Sequence, residues 1–211
     1  MNLSTHAGNH LLRQQVYEYL RKKLKSETLK PGNTVRIKQL SEELGISRTP
    51  LRDALLQLQA EGFVTFLPQR GILINEVSET DIRNFYEVLG ALDSRGLLSV
   101  FPHVGNDEVA RMNAINEDML QQVGNEAYYE YFDLNTRFHN VYLELSDNTL
   151  LLNQINILRQ RMYGFATRGE WIRKVQVLNY QEHLKLIELI QKGSANAAAD
   201  FIRDVHCSVN W

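Results

Sequence analysis

A six-residue segment in the first third of the chain carries side chains that can read nucleic acid. In Ser47-Arg-Thr-Pro-Leu-Arg52 two arginines stand four residues apart, which places them on one face of a helix. Arg48 and Arg52 can each donate two hydrogen bonds to O6 and N7 of a guanine, and the hydroxyls of Ser47 and Thr49 can bond phosphate oxygens. A solvated helix face also carries such arginines, so the flanking sequence must decide between the two interpretations.

Residues on both sides of this segment extend the same chemistry. Arg36 and Lys38, at the start of the preceding helix, are placed to contact the phosphate backbone. Gln69, Arg70 and Gly71 stand at a predicted hairpin tip, where a glycine allows close approach to the minor groove. We therefore expect these residues to contact DNA as well.

A second group of chemically capable residues lies in the other half of the chain. His139, His183 and His206 each share a predicted helix face with apolar residues, and Asn135 projects beside His139 because it lies four residues earlier. Imidazoles that converge in a helix bundle form a natural site for a divalent ion such as Zn²⁺ or Ni²⁺. Their spacing matches no short metal motif, and a single inward histidine is more often a hydrogen-bonded core residue.

The elements that must position the arginines are predicted to be three helices followed by a hairpin. Gly45 suits the end of the second helix and Ser47 the N-cap of the third, which makes a tight helix-turn-helix. Phe63–Leu67 and Ile72–Ile74 have strand character and flank the turn Pro68–Gly71. The three helices are expected at Leu11–Lys25, around Ile37, Leu40 and Leu44, and around Leu51, Ala54, Leu55 and Leu58.

From Ser78 onward the pattern predicts helices only, beginning with the capping-box sequence Ser78-Glu-Thr-Asp81. The fold class is therefore mainly α: an N-terminal winged helix-turn-helix followed by an all-α antiparallel helical bundle. We expect a flexible N-terminus at 1–10 and domains at 11–76 and 77–211. The predicted helices of the bundle are 79–101, 106–123, 126–146, 149–167, 171–192 and 194–208.

Composition narrows the class of protein. Residues 1–78 hold 11 lysines and arginines against 7 acids, whereas residues 79–211 hold 12 against 18, so a basic first part precedes an acidic second part. The absence of an apolar run of about 20 residues predicts no membrane span, and with no signal-peptide pattern the expected location is cytoplasmic. The single cysteine, Cys207, excludes an intramolecular disulfide framework.

The first part resembles the winged helix of the GntR family of bacterial regulators. The resemblance rests on Leu-Lys-Pro-Gly (29–32), Leu-Ser-Glu-Glu-Leu-Gly-Ile-Ser-Arg-Thr-Pro-Leu-Arg-Asp-Ala-Leu (40–55), Glu61-Gly-Phe-Val (61–64) and Arg70-Gly71. It implies that Lys38, Ser47, Arg48, Thr49, Arg52 and Gly71 occupy the family's DNA-contact positions.

Residues 79–206 look like the FCD subgroup of that family, through Phe85-Tyr-Glu-Val, Leu92-Asp93, Asn135-x-x-Phe-His139 and Glu182-His183. The resemblance implies a divalent metal that helps to hold a small carboxylate effector, with Asn135, His139, His183 and His206 as its ligands.

The chain departs from the family pattern at two places. Asn135 is a neutral residue where many relatives have Asp, and Leu89 and Gly90 stand where an arginine often pairs with the carboxylate. Arg159 and Arg161 are candidate substitutes, although exposed arginines on a helix are the alternative interpretation.

These patterns favour a homodimeric transcriptional regulator, expected to be a repressor, that binds a pseudo-palindromic operator and responds to a small organic acid. An enzyme is not expected. Two alternatives remain at this point: a metal-dependent enzyme joined to a DNA-binding module, and an architectural DNA-binding protein without a ligand.

Overall fold

Helices account for most of the chain in the structure, a computed structural model that describes residues 3–25, 28–123, 128–165 and 170–208. Contacts divide the chain into two units, with the division between Val77 and Ser78. The predicted fold class is confirmed: a small three-stranded sheet belongs to the first unit, and the described part of the second unit is helical.

The first unit is a winged helix-turn-helix. Its strands pair antiparallel in the order β1-β3-β2, with Val35 and Phe66 opposite Ile72 on either side. The helices bury one apolar face each, and the core includes Leu20, Leu51 and Ile72. The elements are α1 (Leu3–Lys25), β1 (Thr34–Val35), α2 (Ile37–Leu44), α3 (Arg48–Ala60), β2 (Val64–Leu67) and β3 (Gly71–Ile74).

The turn between α2 and α3 follows the prediction in its backbone and departs from it in one side chain. Gly45 ends α2 in the left-handed region, at a φ of 63°. Ser47 does occupy the N-cap of α3, but its hydroxyl makes no capping hydrogen bond. The sequence therefore predicts the N-cap residue of α3 correctly, but the hydrogen bond that such a hydroxyl usually makes is absent.

The first helix begins earlier than predicted. α1 starts at Leu3, so the segment 1–10 that we expected to be flexible is helical from Leu3 onward. No proline lies between Leu3 and Lys25, so the backbone hydrogen bonds of the helix can continue through this polar stretch.

The second unit contains helices where the sequence predicted them. The start of the predicted helix 126–146 and the end of the predicted helix 149–167 lie outside the described residues. Ser78 and Asp81 form the predicted capping box. The helices are α4 (Glu79–Val100), α5 (Asn106–Gln122), α6 (Tyr128–Leu143), α7 (Thr149–Phe165), α8 (Glu170–Gln191) and α9 (Ala195–Phe201).

A π-helical turn follows α9 at Ile202–His206, where the sequence predicted plain α-helix. The backbone N–H of Cys207 donates to the carbonyl of Ile202 at 2.9 Å, which is the five-residue spacing of a π-helix. Such a turn holds one residue more than an α-helical turn. It therefore changes the direction in which His206 projects.

Candidate functional site

The three histidines of the second unit meet in its core. His139 on α6, His183 on α8 and His206 on the π-helical turn are all buried, and one nitrogen from each imidazole lies within 4.8 Å of the others. The ring of His183 stacks on that of Phe138, with centroids 3.7 Å apart. The prediction that these histidines point inward is confirmed, and the structure brings together residues separated by up to 67 positions.

An amide from α5 orients His183. Its Nδ1 lies 3.0 Å from Oδ1 of Asn116, and Nδ2 of Asn116 donates to the carbonyl of Tyr180 at 3.2 Å. That second bond fixes the amide with its oxygen toward the imidazole, so Nδ1 of His183 carries the hydrogen. Nε2 of His183 is buried and has no hydrogen-bond partner among the described residues. Its lone pair is therefore available to a ligand.

A carboxylate orients His206 in the same way. Nδ1 of His206 lies 2.8 Å from Oε2 of Glu182 on α8, and an ionised carboxylate can only accept. The hydrogen is therefore on Nδ1, and the lone pair is on Nε2. Glu182 does not face its sequence neighbour His183, as expected for adjacent residues on a helix.

His139 receives its partners from α4 and from its own helix. Its Nδ1 lies 3.2 Å from Oδ2 of Asp93 and 2.8 Å from the hydroxyl of Tyr142. The Tyr142 hydroxyl donates to Oδ1 of Asp93 at 2.5 Å, so its oxygen can accept from the imidazole. Nδ1 of His139 therefore also carries the hydrogen.

The three Nε2 atoms are thus left as acceptors. Nε2 of His139 and Nε2 of His206 are only 3.2 Å apart, a distance at which two lone pairs repel unless a cation or a proton lies between them. Two nitrogens bound to one tetrahedral Zn²⁺ at about 2.0–2.1 Å would be about 3.3 Å apart. The donor set therefore fits a divalent ion that prefers imidazole.

A buried ion pair adjoins the histidine cluster. Arg159 on α7 is 1% exposed, and its Nη2 donates to Oδ2 of Asp93 at 2.5 Å. Its Nη1 donates to Oδ1 of Asn140 at 3.1 Å, whereas its buried Nε has no partner among the described residues. The alternative that Arg159 is an ordinary exposed arginine is wrong, because α7 packs it against α4.

The pKa values reflect burial among paired charges. Burial lowers the pKa of His139 to about 4, although Asp93 opposes the shift. Burial likewise holds the pKa of His183 well below its ordinary value. Burial alone would raise the pKa of Asp93, but His139 and Arg159 outweigh it and keep that pKa well below the usual range. At neutral pH the two imidazoles are therefore uncharged, as metal ligands must be.

The remaining candidates of the second unit occupy different environments. Asn135 is buried one helical turn before His139. Arg161 is partly exposed, its guanidinium lies 4.6 Å from the centre of the Phe85 ring, and its Nε is buried without a hydrogen-bond partner among the described residues. Leu89, at the position where relatives often have arginine, is buried.

The DNA candidates of the first unit lie on its surface. The polar members of the set are exposed, while α3 buries Leu51, Leu55 and Leu58 on the opposite face. Lys38 also forms an exposed ion pair with Glu42 at 3.7 Å. The exposed candidates are Arg36, Lys38, Ser47, Arg48, Thr49, Arg52, Gln69 and Arg70.

The fold itself requires a glycine at position 71, which the sequence did not reveal. Its φ is 111°, and a Cβ atom there would lie 2.2 Å from the carbonyl oxygen of Val35. The glycine therefore allows β1 and β3 to pair closely, whatever it does at DNA. Preceding it, Gln69 has a φ of 59°, which is uncommon for a residue with a side chain.

Two contacts join the recognition helix to the wing. Oε1 of Gln59 accepts a hydrogen bond from the backbone N–H of Phe66 at 2.9 Å, and the guanidinium of Arg52 lies 5.8 Å from the centre of the Phe66 ring. These contacts place one side of α3 against β2. Arg52 remains exposed, so it belongs both to the DNA candidates and to the side of α3 that meets the wing.

Sequence reasoning missed the partners that orient the imidazoles. Asp93 lies in the buried line Phe85, Leu89, Leu97 of α4, and Asn116 lies between the buried Met112 and Met119 of α5. A polar residue in an apolar helix face is a detectable signal. Glu182 was noted only for its position beside His183.

Comparison with known proteins identifies the family. Residues 12–74 match "Bacterial regulatory proteins, gntR family", and residues 84–205 match "FCD domain". The chain belongs to the GntR family. It is a DNA-binding transcriptional regulator with an FCD domain, as the sequence predicted.

Similar GntR-type proteins include regulators matched over most of their length. The Nta operon transcriptional regulator of Aminobacter aminovorans is 26% identical over 82% of this chain and 80% of its own. The HTH-type transcriptional repressor RspR of Escherichia coli is 22% identical over 87% and 81%. These relatives are regulators and not enzymes, so the enzyme alternative is not supported.

Solved structures show the same fold. A GntR regulator from Rhodococcus superposes with a TM-score of 0.72 at 15% identity, over 90% of this chain and 91% of the other. The E. coli protein McbR/YncC gives a TM-score of 0.68 at 21% identity, over 91% and 93%. In the described part of this chain, no helix is both long and apolar enough to cross a membrane.

Proposed function

We propose that this regulator is a homodimeric repressor whose operator binding is controlled by a small carboxylate effector at a metal-containing site in its second unit. One observation carries the proposal: three imidazoles converge with every Nδ1 held by an acceptor and every Nε2 left open. An accidental cluster of core histidines would not need that common orientation.

His139, His183 and His206 would hold the ion through Nε2, with Asn135 as a further candidate ligand. A set dominated by imidazole favours Zn²⁺ or Ni²⁺ over Mg²⁺ or Ca²⁺, which prefer oxygen ligands. A divalent ion there would supply positive charge for binding an anion. Asp93, Asn116 and Glu182 would keep the imidazoles in the required tautomer.

The effector candidates are Arg159 and Arg161. Both have a buried Nε without a partner among the described residues, and such a donor is costly to bury unless a ligand accepts from it. Arg159 belongs to the same network as His139 through Asp93. A small carboxylate is an acceptor of the right charge. Leu89, at the position where the family often has the arginine that pairs with the effector, cannot form an ion pair. We therefore propose Arg159 as the principal partner of the effector carboxylate.

The first unit would contact DNA through the nine candidates of α2, α3 and the wing. We assign this role to residues 11–76, and effector binding and dimerisation to residues 77–211. A two-fold dimer presents two recognition helices to half-sites about one helical turn apart, so the operator should be pseudo-palindromic. Repression is proposed because RspR, a relative, is named a repressor.

Metal analysis of the full-length chain tests the central claim. Protein purified without chelator should contain about one Zn²⁺ or Ni²⁺ per chain, and His183→Ala or His206→Ala should lose it. His103→Ala is the matched control, because His103 is exposed and outside the cluster. Metal content equal in all four proteins, or none in the native chain, would contradict the proposal.

Operator binding tests the control by effector. The half-site sequence is first selected from a random duplex pool, and the affinity for it is measured with and without a panel of small mono- and dicarboxylates. An effector should change the affinity of the native protein and have no effect on Arg159→Met that retains its fold. Unchanged affinity with every carboxylate would refute this part.

A further inference from the structure

An exposed leucine lies on the same face of the recognition helix as the proposed DNA contacts. Leu56 is 44% exposed, although the other leucines of α3, Leu51, Leu55 and Leu58, are at most 1% exposed. It lies seven residues after Thr49 and four after Arg52. At about 100° per residue, Leu56 and Thr49 project within about 20° of each other.

Two other sides of α3 already contact the rest of the first unit. The buried face, which carries Leu51, Leu55 and Leu58, packs against α1 and the core of the unit. A second side is joined to the wing through Gln59 and Arg52. Leu56 projects about 40° from Arg52 and about 20° from Thr49, and it is exposed, so it faces outward beside them.

Leucine has a specific partner in the major groove. It can neither donate to a guanine nor bond a phosphate, but it can cover the C5-methyl group of thymine, the apolar group that a major groove exposes. We propose that Leu56 is a specificity-determining residue that contacts a thymine methyl in each half-site. The helix rises about 10 Å between Thr49 and Leu56, so the two residues would contact different positions of the half-site.

This inference rests on the proposed reading of DNA by α3. It also predicts that the residues of that face recognise different bases: Arg48 and Arg52 select guanine, and Leu56 selects thymine without adding charge. Changing Leu56 should therefore alter base preference while leaving the salt dependence of binding unchanged.

The test uses the full chain and a random-sequence duplex pool to define the preferred half-site. The thymines are then replaced one at a time by deoxyuridine, which removes only the methyl group. At one position per half-site, the replacement should weaken binding by the native protein about fourfold, as expected for loss of one buried methyl. Leu56→Ala should bind the two duplexes equally well.

Leu150→Ala is the matched control, because Leu150 is an exposed leucine of the second unit, and it should retain the native response to deoxyuridine. The inference is overturned if Leu56→Ala keeps the methyl effect or if no thymine position shows one. It is also overturned if Leu56→Lys binds more tightly with a steeper salt dependence, which would place the residue against phosphates. Failure of α3 to read DNA at all is distinguished by Arg48→Ala and Arg52→Ala, which would then leave specific binding intact.

Discussion

Glu182 accepts a hydrogen bond from His206, which lies 24 residues away, and not from its neighbour His183. The arrangement joins α8 to the π-helical turn at the point where both supply an imidazole. A carboxylate behind a ligand imidazole fixes its tautomer and raises its basicity. Two such relationships, Glu182 with His206 and Asp93 with His139, flank the candidate metal centre.

Removing the charge of Glu182 should weaken metal binding without abolishing it. Glu182→Gln keeps an acceptor oxygen but loses the carboxylate, so we expect the metal dissociation constant to rise roughly ten- to hundredfold. Competition with a metal-binding dye measures the change. Glu144→Gln, at an exposed acid on the segment after α6, should have no effect, and equal affinities for the two variants would contradict the role of Glu182.

Replacing the recognition arginines should weaken operator binding and leave the fold intact. Arg48→Ala and Arg52→Ala are each expected to cost about 1–3 kcal/mol of specific binding, with preference relaxed at one base position. Lys38→Ala should instead reduce binding to all sequences and lower the salt slope by about one. Fluorescence anisotropy at several salt concentrations separates the two effects. Loss of helicity in the arginine variants, or undiminished specificity, would refute the assignment.

Acidification should destabilise the metal-free second unit. The pKa of His139 is about 4 and that of His183 is well below its ordinary value in the folded chain, whereas both are about 6.5 when unfolded. Below about pH 6.5 the unfolded chain binds protons that the folded chain excludes, so the free energy of unfolding falls as the pH falls. Asp93 adds a loss at lower pH, since its pKa is depressed by folding.

Urea titration in the presence of chelator at about pH 7, 6 and 5 measures this slope. Both tryptophans, Trp171 and Trp211, belong to the second unit by sequence, so their fluorescence reports on that unit. His139→Leu should flatten the slope, and Leu150→Ala, at an exposed residue without a titratable group, should leave it unchanged. An unfolding free energy that is independent of pH would show that the histidines are not buried in neutral form.

Breaking the ion pair between Asp93 and Arg159 should be costly. Arg159→Met leaves a buried carboxylate without its main counter-charge, and we expect a loss of about 3–5 kcal/mol in the free energy of unfolding. Adding Asp93→Leu should recover part of the loss, because it removes the stranded charge. Arg203→Met is the control for an exposed arginine, and it should lower the free energy of unfolding far less than Arg159→Met, although Arg203 pairs with Asp200 and Asp204.

Two glycines of the first unit should differ in their tolerance of alanine. Gly71→Ala places a Cβ atom against the carbonyl oxygen of Val35, so we expect loss of the β1–β3 pairing and a large fall in thermal stability. Gly45→Ala has open space around it and should cost only about 1–2 kcal/mol for its left-handed backbone. Thermal unfolding followed by circular dichroism compares them, and equal losses would contradict the role given to Gly71.

Much of the fold could be predicted because its signals are local. The apolar spacing of Leu51, Leu55 and Leu58, the left-handed Gly45 and the capping box at Ser78 all depend on neighbours within a few residues. The inward direction of the three histidines followed from the same spacing. Convergence of these residues could only be inferred from resemblance, since it depends on how α6, α8 and the π-helical turn pack.

The orienting partners could not be predicted from local pattern. Asn116 meets His183 across 67 residues and Asp93 meets Arg159 across 66. Such pairs are set by packing between helices, and no short-range rule states which polar residue will face which. For the same reason Arg159 could be read as exposed, although α7 buries it.

The π-helical turn makes the candidate metal centre sensitive to chain length. Because Ile202–His206 contains one residue more than an α-helical turn, deleting a single residue there would restore ordinary helix and change the position of His206 relative to His139. A relative that lacked this extra residue could retain every histidine in its sequence and still be unable to assemble them. For this site, the count of residues between ligands matters as much as the identity of the ligands.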